Sequence, residues 1–446
     1  MRALGLLALL LVLVTGAAIA GPPAERFFPY AFENYALENG FKSVLIPMKG
    51  SGLVAYYTVV RTGSRDEWEP GRSGFAHFFE HMMFRGTEKY PADEYNRLVS
   101  EMGANANAYT SDDITCYYMV IPSAELETAM DLESDRFQNL SYEEGPFRTE
   151  AGAVYGEYRK NFTSPFRIAY EKMLDTAFDQ HTYKHTTMGF EKDIIDMPNM
   201  YEYSISFFNR YYRPENCVLM IVGDFESNKV KPMIEKYYGG WEPGYVEPKI
   251  DPEPPQKGER SVDVTYKGRT LPLVWMAFKG DAFDPSSKAV ASAYLLADLA
   301  FGENSEIYKK LVIREQKVQW IAGDFGFNRD PKLYDVYTRV KDEADIDYVI
   351  GEIDAAAEKF KTDLVSEDEL NNIKMRTRYG YLMRLDTPGN VASALARTIA
   401  LTGGIDAVDQ LYSTIATITP EDIKAAAQRY LEKDRRTVLV LKGDKS

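Results

Sequence analysis

The sequence predicts an α+β protein of two homologous domains, each a mostly antiparallel sheet with helices packed on one face. Three observations carry this. Short strand-like apolar runs alternate with long helical stretches, with hairpin-length strand pairs opening each half. Residues 242–259, EPGYVEPKIDPEPPQKGE, hold five prolines and so read as an extended linker that cannot join a sheet ladder. The two sides of that linker also end alike. The first closes with FFNRYYRPENCVLMIVGDF and the second with AAQRYLEKDRRTVLVLKGD, each a basic-aromatic pair, a turn, a strand and a Gly-Asp turn. This is one weak internal repeat, its two copies falling in corresponding places on either side of the linker.

In chain order, residues 1–20 come first. Arg2 precedes an apolar run over 3–14, then small residues ending in Ala18-Ile19-Ala20, the pattern of a cleaved secretory signal peptide with Gly21 as the mature start. The competing reading is an uncleaved anchor. It is disfavoured because the run is short and contains Thr15 and Gly16. Residues 21–241 form the first domain, 242–259 the linker and 260–446 the second domain. Strand candidates are 43–47, 54–61, 115–121 and 218–222 in the first half, and 262–266, 272–278, 333–339 and 438–441 in the second. Helices are expected between them, for example over 123–139 and 286–301. No later segment has 18 consecutive apolar residues, so no membrane span is expected after signal cleavage. The expected compartment is a bacterial periplasm.

Composition narrows the function. The chain has 446 residues and a net charge of −15, which argues against a nucleic-acid partner because phosphate binding needs a basic stripe. Two cysteines exclude a disulfide framework and a multi-cysteine zinc module. Cys116 and Cys217 lie in strand-like apolar runs and read as buried free thiols, with oxidation left open.

Only four histidines occur, and two fall in GFAHFFEHMMFRG. His77, Glu80 and His81 form H-x-x-E-H. On a helix His81 lies about 40° round from His77, so the imidazoles share a face one turn apart, and Glu80 lies about 60° to the other side. Two neutral imidazoles make half of a zinc site, and a carboxylate beside them can take a proton from water at the metal. A catalytic zinc needs a third protein ligand. Glu150 and Glu157, in FRTEAGAVYGEYRKN, are about 20° off alignment and two helical turns apart. One of them could bind metal while the other orients a ligand. His181 and His185 are also four apart, but the threonines around them point to a structural loop rather than a second metal site.

H-x-x-E-H with Glu157 following far downstream of His81 resembles the signature of the inverzincin metallopeptidases of the pitrilysin/insulinase type. The stretches MGANANAYTSDDITCYY and HTYKHTTMG resemble further segments of that family. The resemblance implies one zinc ion (Zn2+) per chain held by His77, His81 and Glu157, with Glu80 as catalytic base and Glu150 as a supporting acid. It places Asn107 and Ala108 on an edge strand that binds substrate beside the metal. The implied fold is mitochondrial-processing-peptidase-like, and the implied substrate is a peptide or an unfolded protein segment. The family's Arg/Tyr substrate-binding pair is not evident; Tyr334, Tyr337 and Arg339 are candidates. The expectation is therefore a homodimer, or a heterodimer with a related chain lacking the zinc motif, the linker letting the halves open and close. The alternative is a non-catalytic assembly subunit.

Overall fold

A computed structural model describes residues 26–444; the expected signal peptide lies outside these described residues. Six strands build the first sheet: β1 (Glu33–Ala36), β2 (Lys42–Pro47), β3 (Leu53–Val60), β4 (Asn105–Thr110), β5 (Thr115–Pro122) and β6 (Cys217–Gly223). Five build the second: β7 (Arg260–Tyr266), β8 (Leu273–Lys279), β9 (Val318–Phe325), β10 (Leu333–Val340) and β11 (Arg436–Gly443). All eight expected strands are present. β1, β4 and β9 are additional, although β4 was implied by the family resemblance. β1 and β4 are short, polar edge strands, and the apolar run of β9 is broken in sequence by Gly323 and Asp324, which still pair with β10.

The strand order is β1-β2-β6-β3-β5-β4 in the first sheet and β7-β11-β8-β10-β9 in the second. Apart from β1, the two orders are the same. In each half the strand that comes last in the chain slots into the sheet, β6 between β2 and β3 and β11 between β7 and β8, parallel to the first of each pair and antiparallel to the second. The remaining pairs are antiparallel.

Each sheet packs its own helices on one face. The first core joins β3 and β5 to helices Phe75–Met82, Leu126–Asn139 and Glu144–Asn161. The second joins β8 and β10 to Lys288–Phe301, Ile346–Thr362 and Pro420–Tyr430. The opposite faces are not open. Helix Pro388–Thr402 of the second half lays Val391, Leu395 and Ile399 on the back of the first sheet, against Val44, Ala55 and Val59. Helix Pro165–Ala177 of the first half returns the arrangement, packing Ala169, Met173 and Leu174 on Trp275, Leu439 and Leu441. Each half therefore supplies the cover for the other.

This exchange corrects the expectation that the linker lets the halves move apart. Opening them would bare two apolar faces to water. The linker is also tied down: Glu253 accepts N–H bonds from Asp179 (2.8 Å), Gln180 (3.0 Å) and His181 (3.1 Å) and meets Lys279 Nζ at 3.2 Å. Residues 242–259 form neither helix nor strand; they act as a strap rather than a hinge.

Cys116 packs in the core behind the first sheet and Cys217 in the core in front of it. Both are buried free thiols on opposite faces, so no disulfide links them. Among the described residues no single helix is long and apolar enough to cross a membrane.

Candidate metal centre

The short helix Phe75–Met82 positions the H-x-x-E-H side chains. At eight residues it is too short to persist alone, and tertiary contacts define both ends. Gly74 caps it at φ +94°, where a Cβ would lie 2.3 Å from Ile194 Cδ1. The buried Glu67 carboxylate accepts the N–H groups of Gly74 and Ala76, both at 2.7 Å, satisfying two unpaired donors and opposing the positive end of the helix dipole. Phe75, Phe78, Phe79 and Met82 anchor the remaining faces in the first core.

His77 and His81 stand one turn apart, ring centroids 4.8 Å from each other and nearly perpendicular at 76°. Both turn Nε2 toward Glu157 Oε2, His77 at 3.6 Å and His81 at 3.4 Å. These separations are long for hydrogen bonds. They match the edge of a tetrahedron whose bonds are about 2.0–2.1 Å, roughly 3.3–3.4 Å. One donor atom from each of the three residues lies within 4.8 Å of the others, and among the described residues no other group of three or more potential ligands does so. The donor set, two imidazoles and one carboxylate, suits zinc.

The surroundings favour that use. Burial, reinforced by the neighbouring His81 charge, pushes His77 down to about 4, leaving its ring neutral and its lone pair free. Glu150 stands behind His81 rather than at the opening, its Oε1 2.9 Å from His81 Nδ1. A hydrogen bond there leaves His81 Nε2 facing Glu157 and raises the basicity of the ring. Burial works against the Glu150 charge, but the bonds from His81 and from Arg85, whose Nε lies at 2.6 Å, outweigh it and hold the carboxyl below its ordinary range. Glu80 flanks the cluster. Burial raises its pKa, opposed by a 2.7 Å hydrogen bond from Thr110 Oγ1.

Asn107 and Ala108 lie on β4, the last strand of the first sheet. One side of β4 pairs with β5, Asn107 opposite Tyr118 and Ala108 opposite Tyr117. Its other edge carries no strand among the described residues. The Ala108 N–H is bonded to Asn107 Oδ1 at 2.9 Å. The same strand ends at Thr110, so the free edge runs up to Glu80.

Three contributors went unnoticed in the sequence. Arg85 lies three residues past the end of the Phe75–Met82 helix, so its reach to Glu150 comes from the turn that follows and helical spacing carries no signal for it. Thr110 continues the face of Ala106 and Ala108 along β4, a readable alternation. Glu67 left no local trace, because its role depends on a contact made only by folding. The other two histidines are structural. His181 accepts the Tyr183 N–H at Nδ1 (3.0 Å) and presents Nε2 to Asp330 at 3.0 Å, and His185 bonds the Thr186 carbonyl at 3.0 Å. Of the second-half candidates, Tyr334 is sealed in the second core, Tyr337 packs against Trp275 and Trp320, and Arg339 bonds Thr270 Oγ1 at 3.1 Å.

Residues 49–191 match the insulinase peptidase family, peptidase family M16, and residues 201–377 match the family's inactive domain. The chain is 28% identical to the zinc protease PqqE of Helicobacter pylori over 99% of its own length and 98% of the relative's. The crystal structure of a protease from Helicobacter pylori superposes with a TM-score of 0.87 at 26% identity, covering 93% of this chain and 99% of that one. The first half of the periplasmic protease PqqL from Escherichia coli shares the fold, with a TM-score of 0.75 at 18% identity over 93% and 92% of the two chains.

Proposed function

The chain belongs to the pitrilysin/insulinase family of peptidases, and on that footing we propose that it is a zinc-dependent endopeptidase cleaving peptides or unfolded polypeptide segments. The observation that carries this reading is the convergence of His77 Nε2 and His81 Nε2 on Glu157 Oε2, at 3.6 and 3.4 Å, with one donor atom of each residue within 4.8 Å of the others. Zinc bound there would polarise the scissile carbonyl and lower the pKa of water to about 7. Glu80 accepts the proton from the attacking water and later delivers it to the leaving amine; burial, which raises its pKa, makes it a better proton acceptor than an exposed carboxylate. Glu150 keeps His81 in the orientation that presents Nε2. An extended substrate adds as a strand along the free edge of β4, where backbone hydrogen bonds at Asn107 and Ala108 tolerate many side chains once Asn107 releases the Ala108 N–H.

The leader pattern at residues 1–20 supports a periplasmic location, the compartment of the similarly folded PqqL protease. Because the two halves of one chain are locked together, enclosure of substrate requires a second subunit, either another copy or a related chain without the zinc motif.

A non-catalytic assembly role is the second reading, favoured by the inactive-domain match and by a second half without histidine or cysteine. One experiment separates the two: zinc content and cleavage of a peptide library by the mature protein, compared with Glu80→Gln. The peptidase reading expects one zinc in both proteins and a rate about 10²–10⁴ lower in the variant. A wild type that holds no zinc and cleaves nothing, alone or with candidate partner chains, favours the assembly role.

A further inference from the structure

The β4–β5 turn is where the second half reaches toward the chemistry of the first. Thr110, the last residue of β4, donates its hydroxyl to Glu80 Oε2 at 2.7 Å. The other Glu80 oxygen has no hydrogen-bond partner among the described residues, so one contact orients the carboxylate and leaves its second oxygen free.

The turn after Thr110 is clamped from several directions. Ser111 N–H closes it on the Ile114 carbonyl at 2.8 Å, and the Ser111 and Asp112 carbonyls accept the N–H groups of Ser64 (3.3 Å) and Arg65 (2.8 Å). Gly63 passes so close beneath that a Cβ there would lie 2.2 Å from the Ser111 oxygen. From the second half, Lys332 Nζ meets Asp112 Oδ2 at 2.5 Å, while Asn328 Nδ2 (3.1 Å) and the Arg329 N–H (3.2 Å) meet Asp113 Oδ2. Tyr183 donates to the other Asp113 oxygen at 2.7 Å. Asp112 and Asp113 are both buried, so these partners cannot be exchanged for water at little cost.

We infer that Thr110 is the positioning residue for Glu80, and that the clamp on Asp112 and Asp113, including Asn328, Arg329 and Lys332 of the second half, holds Thr110 in place. This rests on the peptidase reading of the site. It gives the half without a metal centre a definite task, the rigidity of the base. It also ties substrate register to base position, because Ala108 and Thr110 are roughly 7 Å apart on one strand.

The test compares Thr110→Val, which keeps the shape and removes the donor, with Thr110→Ser, which keeps the donor and removes the methyl group. In the zinc-loaded mature chain, Thr110→Val should lower kcat about 10–100-fold, the scale of one hydrogen bond to a charged group. KM and zinc stoichiometry should stay at wild-type values, and Thr110→Ser should restore kcat. A role in packing alone would reduce zinc content or stability together with kcat, and serine would not rescue it. Wild-type kcat in Thr110→Val overturns the inference. If the wild type itself cleaves no peptide, it is the peptidase reading that fails. Positioning is then read from crystal structures of wild type and Thr110→Val: an unmoved Glu80 carboxylate overturns it, a displaced one sustains it.

Discussion

Helix Glu144–Asn161 in the first half and helix Glu367–Leu382 in the second hold equivalent places, each followed directly by a proline-initiated helix that crosses to the other half. One constant displacement along the chain takes Glu144 to Glu367 and Pro165 to Pro388. The same displacement takes Phe147 to Leu370 and Tyr158 to Tyr381, all four buried. It takes Glu150 to Ile373, and Glu157 to Gly380. Glu150 and Ile373 are both almost completely buried, at 3% and 2% exposure. A carboxylate fills that slot only where His81 and Arg85 reach in to pair with it; otherwise isoleucine stands there. One scaffold thus serves twice, and the difference between a candidate site and a plain core comes down to which buried charges have partners.

The comparison can be broken most forcefully at the ligands. His77→Ala and Glu157→Gln should each strip zinc and with it peptide cleavage, leaving the folded second half intact by circular dichroism. Stoichiometric zinc in either variant would remove that residue from the ligand set. Glu150→Gln should be milder, weakening zinc about 10–100-fold as expected for a residue that orients a ligand. Competition with a zinc chelator ranks the three, and a Glu150→Gln protein that loses zinc more completely than Glu157→Gln would reverse the two roles.

The matching change in the second half should touch stability alone. Ile373→Ala leaves a cavity and should lower unfolding stability by about 2–5 kcal/mol with unchanged zinc affinity, measured by denaturant titration beside the chelator assay. Weakened zinc binding there would mean that the halves are coupled through that helix.

The smallest effect concerns the strap. Burial pushes Lys279 down to about 8, against the pull of Glu253. Between about pH 8 and the ordinary lysine value near 10.4, the unfolded chain therefore binds more protons at this position than the folded one, and the Lys279 contribution to stability rises with pH. Relative to Lys279→Met, the wild type should gain stability across that window and show a constant difference below it. A difference independent of pH up to 10.5 would show that the amine is not perturbed.

Much of the candidate site was readable because it is local. Helical spacing set His77, Glu80 and His81 on adjoining faces, and a two-turn interval aligned Glu150 with Glu157. The strands that form the sheet centres announced themselves through unbroken apolar runs such as 218–222. What stayed hidden depends on contacts distant in sequence. An apolar sheet face shows that something must cover it, not that the cover comes from the opposite half. Glu67 looks like any acidic residue until Gly74 and Ala76 are folded against it. The roles of Asp112 and Asp113 depend on Lys332, Asn328 and Arg329, all on the far side of the linker.

The mutual covering of the two sheets bears on how the chain is made. The first sheet is complete in sequence once β6 ends at Gly223, yet the helix that shields its back ends only at Thr402. At synthesis rates of about 5–20 residues per second, that interval lasts on the order of 10–40 seconds. For that time Val44, Ile46, Ala55, Val59 and Val222 lack the helix that covers them in the finished fold. An uncovered apolar face is a target for holdase chaperones and a liability for aggregation. A polypeptide truncated before residue 388 should therefore accumulate as insoluble or chaperone-bound material, although every residue of the candidate metal site has already been made.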